Sequence, residues 1–426
     1  MQKYFNIIRE LTPIIFIIVC LLMLLPQTIF IRGYFDVEIR AMILFLWIIL
    51  ILTRSVICKF TFTISEIVWC VFTLLAILGA ILNSKDLPLD IIQPITWWIV
   101  AIGVVSFVRI AQPNEEFIKK WLKSIVIGEI IISILSLVDF LNIYKLSQIV
   151  SSKVQSLGTL QNVQNFGCVI GSYTFGQEMM VGILSVMGIY AINIFYLKKH
   201  SYIDYMLYTM AFLIFFPLLI YSNDRDSVLA VVISFILLII YLMKNKNIHI
   251  YAKHICSFVF VLIGLIFILC YFNILQPFIK KVLTAGTSHR SDIWIAVLKH
   301  QKDNLFSLNF LFGDGFRYAS SQYIFTKSNG LQNFHNFIID IWARYGFINL
   351  VIVLLYILYG LIKSLESTFY YLSVPILTGL LAFDFFSGEL ITATFRLVPA
   401  YMIFYISINI DKDSLLIPKS IFMDKK

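Results

Sequence analysis

Apolar residues in this chain arrive in blocks of roughly twenty, each closed by a short polar connection. At about 1.5 Å of rise per residue, a block of that length crosses a hydrocarbon core of about 30 Å as a helix. Twelve such spans are predicted, near 11–31, 39–57, 62–82, 89–109, 124–143, 176–197, 205–222, 227–243, 255–275, 347–362, 369–387 and 391–410. Two connections break the rhythm by their length, 144–175 and 276–346. The second is the most polar stretch of the protein. It opens on Gln276-Pro277 and a Lys280-Lys281 pair, passes Ser288-His289-Arg290-Ser291-Asp292 and a Gly313-Asp314-Gly315 turn, and closes on Phe334-His335-Asn336-Phe337. The expected architecture is all-α and polytopic: one integral membrane domain over 1–426, with a long loop carrying short helices between spans nine and ten.

Composition agrees with the pattern. Hydrophobic residues make up 60% of the chain and charged residues 13%, about half the charged share of a soluble globule. Lys and Arg sort mostly to one side of the predicted spans: Lys3, Arg9, Arg54, Lys59, Arg109, Lys119, Lys120, Lys123, Lys198, Lys199, Lys244, Lys246, Lys253, Lys363 and the lysines of the C-terminal tail fall on the side that holds both termini. The short connections on the other side hold only Arg32, Arg40, Lys85, Arg225 and Arg396. The positive-inside rule makes that side cytoplasmic, and both long loops external. The net charge of +9 therefore reflects topology, and no nucleic-acid partner is expected. The apolar run after Arg9 is too long for a signal peptide and leads into Pro26-Gln27, so it reads as an uncleaved first span. The six cysteines form no C-x-x-C pair and indicate neither a disulfide framework nor zinc. There is no internal repeat, and neither a P-loop nor a G-x-G-x-x-G motif, so nucleotide-driven chemistry on the inner side is not expected.

Candidate chemistry gathers on the external side. His335 stands immediately before a run with helical period (Phe337, Ile338, Ile341, Phe347, Ile348), where it caps or opens a helix. An imidazole there can take a proton from a hydroxyl; the plainer alternative is a solvated residue at a helix start. Arg225, in Tyr221-Ser222-Asn223-Asp224-Arg225-Asp226-Ser227, punctuates two apolar runs and sits at the membrane surface. It is either a planar donor for a phosphate or a charge neutralised by its two Asp neighbours. Arg290 precedes a helix expected near Ile293, with Ser288 or Ser291 and Asp292 as possible caps; helix N-termini favour anions. Asp340 and Arg344, four apart, are expected to form a helix-surface ion pair. Arg344, Lys280 and Lys281 complete the cations available to an anionic substrate or headgroup. Glu129 and Glu178 are the carboxylates placed deepest in predicted spans.

These pieces resemble the bacterial family of O-antigen ligases and of O-antigen and capsule repeat-unit polymerases, the Wzy- and WaaL-type membrane glycosyltransferases. The resemblance runs over roughly 165–350. Its motifs are Ser222-Asn223-Asp224-Arg225 after a span, Arg290 with Trp294, Leu311-Phe312-Gly313-Asp314-Gly315-Phe316, and His335-Asn336 ahead of Ile341 and Tyr345-Gly346. Gly171-Ser172-Tyr173-Thr174-Phe175-Gly176 is a weaker match, followed by Gln177-Glu178 where the family often has Asn-Pro. The resemblance implies a GT-C-like enzyme without metal or other cofactor, acting on an undecaprenyl-pyrophosphate-linked oligosaccharide at the outer face of the cytoplasmic membrane. It implies that Arg225 and Arg290 hold the pyrophosphate and that His335 serves the acceptor hydroxyl. Repeat-unit polymerisation is the expected reaction, with ligase-type transfer as the alternative; membrane lipid, a chain-length regulator and a flippase are the implied partners. A transporter, the competing class, should show two corresponding halves, and the single long loop in the second half has no counterpart.

The charge asymmetry yields a direct test. Single cysteines at Ser156 and Ser321 in a cysteine-free background are expected to react with an impermeant maleimide in intact cells, and one at Asn247 to be protected. The reverse labelling pattern would invert the topology.

Overall fold

The computed structural model describes residues 2–24, 35–57, 62–83, 87–111, 113–141, 173–197, 202–222, 224–244, 290–315, 334, 336–367 and 369–387. Among them no strand occurs and nearly every residue is helical. The helices are α1 (Gln2–Leu24), α2 (Phe35–Ile57), α3 (Ile64–Asn83), α4 (Leu87–Ala111), α5 (Glu115–Phe140), α6 (Tyr173–Ala191, continued by a π-helical turn Ile192–Leu197), α7 (Tyr202–Tyr221) and α8 (Arg225–Lys244). They continue with α9 (Arg290–Asp303), α10 (Leu308–Phe312), α11 (Phe337–Glu366) and α12 (Tyr370–Ser387). Six helices among the described residues are long and apolar enough to cross a membrane, with Leu44–Ile57, Tyr205–Tyr221 and Tyr370–Phe385 as shorter apolar helices. The spans expected at 255–275 and 391–410 lie outside the described residues, as do most of 144–175 and the first part of 276–346. One boundary differs from expectation. α11 starts at Phe337, ten residues ahead of the predicted span, and Gly346 (φ 85°) breaks it into a leading segment and the apolar stretch after it.

Lipid gives helices no hydrophobic reason to associate, so close fit and buried polar contacts hold the bundle together. α2, α4, α5, α6, α7, α8 and α12 share one core around Trp47, Phe107, Trp121, Phe175, Phe215 and Phe383, all fully buried. α3, α4 and α11 form a second around Trp69, Phe72, Tyr345 and Tyr356. α12 lies against both α8 and α11 and ties the two cores together. Its Gly379 meets α8 so closely that an added Cβ would stand 2.6 Å from the Ala230 carbonyl oxygen, and Ser234 Oγ donates to the Pro375 carbonyl at 2.9 Å.

The contacts between the helices define two chemically different ends of the bundle. At one, Arg54 of α2 pairs with Glu66 of α3 and lies 3.5 Å from Ser106 Oγ of α4. Glu66 also accepts from the Thr63 backbone N–H (2.7 Å) while Thr63 Oγ1 accepts from the Glu66 N–H (3.2 Å), a capping box that opens α3. Tyr356 Oη of α11 reaches Ser65 Oγ at 3.0 Å, and Tyr241 of α8 meets Tyr370 and Tyr371 edge-on at this same end. The opposite end holds Asn83, Asp90, the start of α6, the α7–α8 turn and everything from α9 to the break in α11.

The Arg54–Glu66 pair is buried, and removing one partner leaves an uncompensated charge at a cost of about 3–5 kcal/mol. Glu66→Gln alone is expected to lower the melting temperature in detergent strongly. Arg54→Met combined with Glu66→Leu should recover most of that loss. Additive losses in the double variant would show that the pair is not coupled.

Candidate functional site

The turn between α7 and α8 is only Ser222-Asn223-Asp224. Ser222 Oγ donates to the Leu219 carbonyl at 2.6 Å and accepts from the Asp224 N–H at 3.3 Å. The Ser227 hydroxyl closes onto Asp224 Oδ2, and the Val228 N–H reaches the Asp224 carbonyl at 3.2 Å. Ser222, Asp224, Asp226 and Ser227 are buried, whereas Arg225, the first residue of α8, is half-buried. α6 seals the turn from the side. A Cβ on Gly176 would stand 2.5 Å from Ser222 Oγ and 2.6 Å from Asp224 Cβ, so only glycine permits this approach. Arg225 thereby stands at the positive end of the α8 dipole, between two buried aspartates.

The second part of the site is built on α11. Asn336 is its N-cap, its Oδ1 accepting from the Ile338 and Ile339 N–H groups at 2.9 and 3.1 Å. α9 packs across the leading segment through Ile293 and Val297 against Phe334, Ile339 and Ala343. Trp294 Nε1 donates to the Phe334 carbonyl at 2.8 Å, while the Arg344 guanidinium sits 5.4 Å from the centre of the Phe334 ring. Arg344 Nε is 3.0 Å from Asp340 Oδ1, and both side chains are almost fully buried. Phe334 is thus held by Trp294 and Arg344, and Asn336 by its own bonds to the helix it caps.

A glycine turn secures the far end of the same segment. Gly313 (φ 87°) and Gly315 (φ 82°) shape a loop whose Asp314 and Gly315 N–H groups donate to the Ala343 and Arg344 carbonyls at 2.9 and 3.2 Å. Asn83 Nδ2 of α3 donates to the Gly313 carbonyl at 2.9 Å, and the Asp90 carboxylate of α4 lies directly against Gly315. Asp314 is fully buried; its Oδ1 accepts from Asn309 Nδ2 at 2.7 Å, and its Oδ2 is 3.6 Å from His300 Nε2.

Several expectations are met in altered form. The Asp340–Arg344 pair forms, but inside the protein rather than on a helix surface, because α9 and the glycine turn cover it. The cap of α11 is Asn336, one residue after His335; the Asn side chain reaches the second and third N–H groups of the helix. α9 starts at Arg290, so Ser291 and Asp292 fall in its first turn instead of preceding it. The side chains of Arg290, Lys280, Lys281, His289 and His335 lie outside the described residues. Glu129 of α5 and Glu178 of α6 are buried, with Glu129 Cγ 3.2 Å from the Cβ position of Gly182. No group of metal-binding side chains occurs among the described residues. Trp294 and Arg344 as anchors of Phe334 escaped the sequence reading, although an Asn directly before an apolar helical run was a legible cap signal.

Residues 210–387 match the O-antigen ligase family. The match takes in the turn that carries Arg225, α9, the glycine turn and the whole of α11. Over this segment the chain is similar to the O-antigen ligase family. The chain is accordingly a multi-pass membrane protein of polysaccharide biosynthesis, related to O-antigen ligases and polymerases, with the character of a membrane glycosyltransferase. No curated protein matches it.

The glycine turn is the most demanding backbone of the family segment. A Cβ on Gly313 would strike the Arg344 carbonyl oxygen, at a φ that costs other residues about 1–3 kcal/mol before any clash. Gly313→Ala should therefore lower the detergent melting temperature more than Asn336→Ala, which loses a cap worth about 1 kcal/mol. Equal shifts would mean that the turn can relax away from α11.

Proposed function

We propose that this protein polymerises undecaprenyl-pyrophosphate-linked oligosaccharide repeat units at the outer face of the cytoplasmic membrane. The acceptor hydroxyl oxygen attacks the anomeric carbon of the donor glycan. The bond from that carbon to the pyrophosphate oxygen breaks, and the lipid pyrophosphate leaves with its charge. Arg225, with the N-terminus of α8 behind it, and Arg290, at the start of α9, stabilise that charge. His335 accepts the hydroxyl proton. Pyrophosphate is an activated leaving group, so the protein has to supply position, positive charge and one base. Lys280 and Lys281 attract anionic headgroups, and we read Arg344, buried against Asp340, as holding the Phe334–Asn336 segment. Both termini are cytoplasmic in this reading, and a flippase and a chain-length regulator are its natural partners.

The observation that carries the proposal is the pairing, within one O-antigen ligase family segment, of an arginine at a helix N-terminus with a residue-335 segment anchored on both sides. Ligase-type transfer uses the same leaving group and differs only in acceptor, so the product separates the two reactions. Purified protein given a polyprenyl-linked repeat alone should form a ladder. Product that appears only when a second kind of acceptor is added would replace polymerisation with ligation.

His335→Ala is expected to lower the rate about 10²–10⁴-fold and to leave single lipid-linked units, with expression and detergent stability near wild type. His335→Gln keeps hydrogen bonding without the base and should be nearly as impaired. Arg225→Lys and Arg290→Lys keep charge but lose the planar fork, and each should lose most activity. A fully active Ala variant at 335 would remove that residue from the mechanism, and a fully active Lys variant would end the bidentate role of that arginine.

A further inference from the structure

The corner between α9 and α10 exposes apolar side chains in a part of the chain that spans nothing. Ile295, Leu298, Leu305 and Leu308 are 45–63% exposed, and Phe306 is 80% exposed, far more than the other large apolar residues around it. Scattered exposed apolar residues need no explanation, but Leu305, Phe306 and Leu308 sit together on one short turn, and Ile295 and Leu298 extend the exposure along α9. Phe306 also carries a positive φ of 60°, the only non-glycine among the described residues to do so. A bulky side chain is disfavoured there, and Gly or Asn adopts the same backbone at less cost. The turn is nevertheless ordered. Ser307 N–H donates to the Asn304 carbonyl at 3.0 Å, and Ser307 Oγ caps α10 by accepting from the Phe310 N–H at 3.1 Å. A strained backbone thus holds an aromatic ring away from the protein.

That ring begins an aromatic ladder leading to the membrane-facing surface. The Phe306 and Phe310 ring centres are 6.0 Å apart, and Phe310 stacks on Phe347 at 5.3 Å with Trp342 edge-on at 5.8 Å. Phe347 is the first residue after the break in α11, and the exposed Val351, Leu354, Leu355 and Leu358 continue its face down the apolar stretch. On the other side α10 seats its Phe312 carbonyl on Gly79 of α3, beside the exposed Leu78, Ile81 and Leu82. The patch is therefore continuous with the lipid-facing surface of two membrane-crossing helices. Exposed Lys299 and Lys302 border it, as suits side chains that keep an ammonium among headgroups above an apolar surface.

We infer that the α9–α10 corner dips into the adjacent membrane leaflet, with Leu305 and Phe306 among the upper acyl chains as an interfacial anchor. Such a corner fixes the height of α9, and with it that of Arg290, at headgroup level. The inference rests on exposure, backbone conformation and the aromatic ladder; it stands whether the protein polymerises or ligates.

The test uses the full-length protein in nanodiscs of phosphatidylethanolamine and phosphatidylglycerol. An environment-sensitive fluorophore is attached at Phe306→Cys in a cysteine-free background, with Leu355→Cys as the lipid-facing reference and Lys302→Cys as the headgroup-level one. Position 306 is expected to emit to the blue of 302, to be quenched by nitroxide-labelled lipid at least about twofold more than 302, and to be shielded from iodide. Water-like emission with iodide quenching equal to that at 302 overturns the inference. So does blue emission without lipid quenching, which would mean that protein covers the corner. Leu305→Cys repeats the measurement should the 306 variant fail to fold, and the same two outcomes at 305 decide it.

Discussion

Within a bilayer every backbone carbonyl and N–H has to find a partner in the protein, because no water is at hand to serve it. α11 meets that constraint at its buried break. Gly346 breaks the helix and turns the Ala343 and Arg344 carbonyls out of the regular ladder, and the Asp314 and Gly315 N–H groups take them up. The break is tolerated only because a second segment, some thirty residues earlier, supplies two donors at the correct spacing. Glycine is needed on both sides: a Cβ at Gly313 would strike the Arg344 carbonyl, and one at Gly346 would strike that of Leu311.

From this junction the rest of the candidate site is held in place. Asn83 and Asp90 grip the glycine turn from α3 and α4, so the leading segment of α11 is fastened to the membrane-crossing part of the fold. Its own N-terminus is then fixed by Asn336, and the residue before position 335 by Trp294 and Arg344. The buried Asp340–Arg344 pair fits this scheme better than a role in stability alone. Buried ion pairs often return little net free energy, whereas they discriminate sharply between one arrangement and its neighbours. Precision of placement is what a transfer reaction with an already activated leaving group requires.

Arg225 belongs to a separate structural unit. Its turn is sealed by Gly176 of α6, and α8 reaches the α11 region through α12, which packs on both. The anion-binding and acceptor sides of the proposed chemistry thus rest on different packing units that share one end of the bundle.

The helices described at the predicted spans were legible in the sequence because each rests on local information: run length and helical period. The Ser222–Ser227 turn and the helix start near Arg290 were legible for the same reason, as short motifs between apolar runs. What only the tertiary structure decided are contacts between residues remote in the chain, namely Asn83 with Gly313, Asp90 with Gly315, Trp294 with Phe334, and Asp314 with Ala343. Spacing correctly paired Asp340 with Arg344, yet the pair's burial depends on α9 and the glycine turn folding over it, and helical period carries no information about what a neighbouring segment will cover. Likewise the sequence identified Leu305 and Phe306 as apolar. That they point outward, on a strained turn level with the lipid-facing start of a spanning helix, is a property of how α9, α10 and α11 pack.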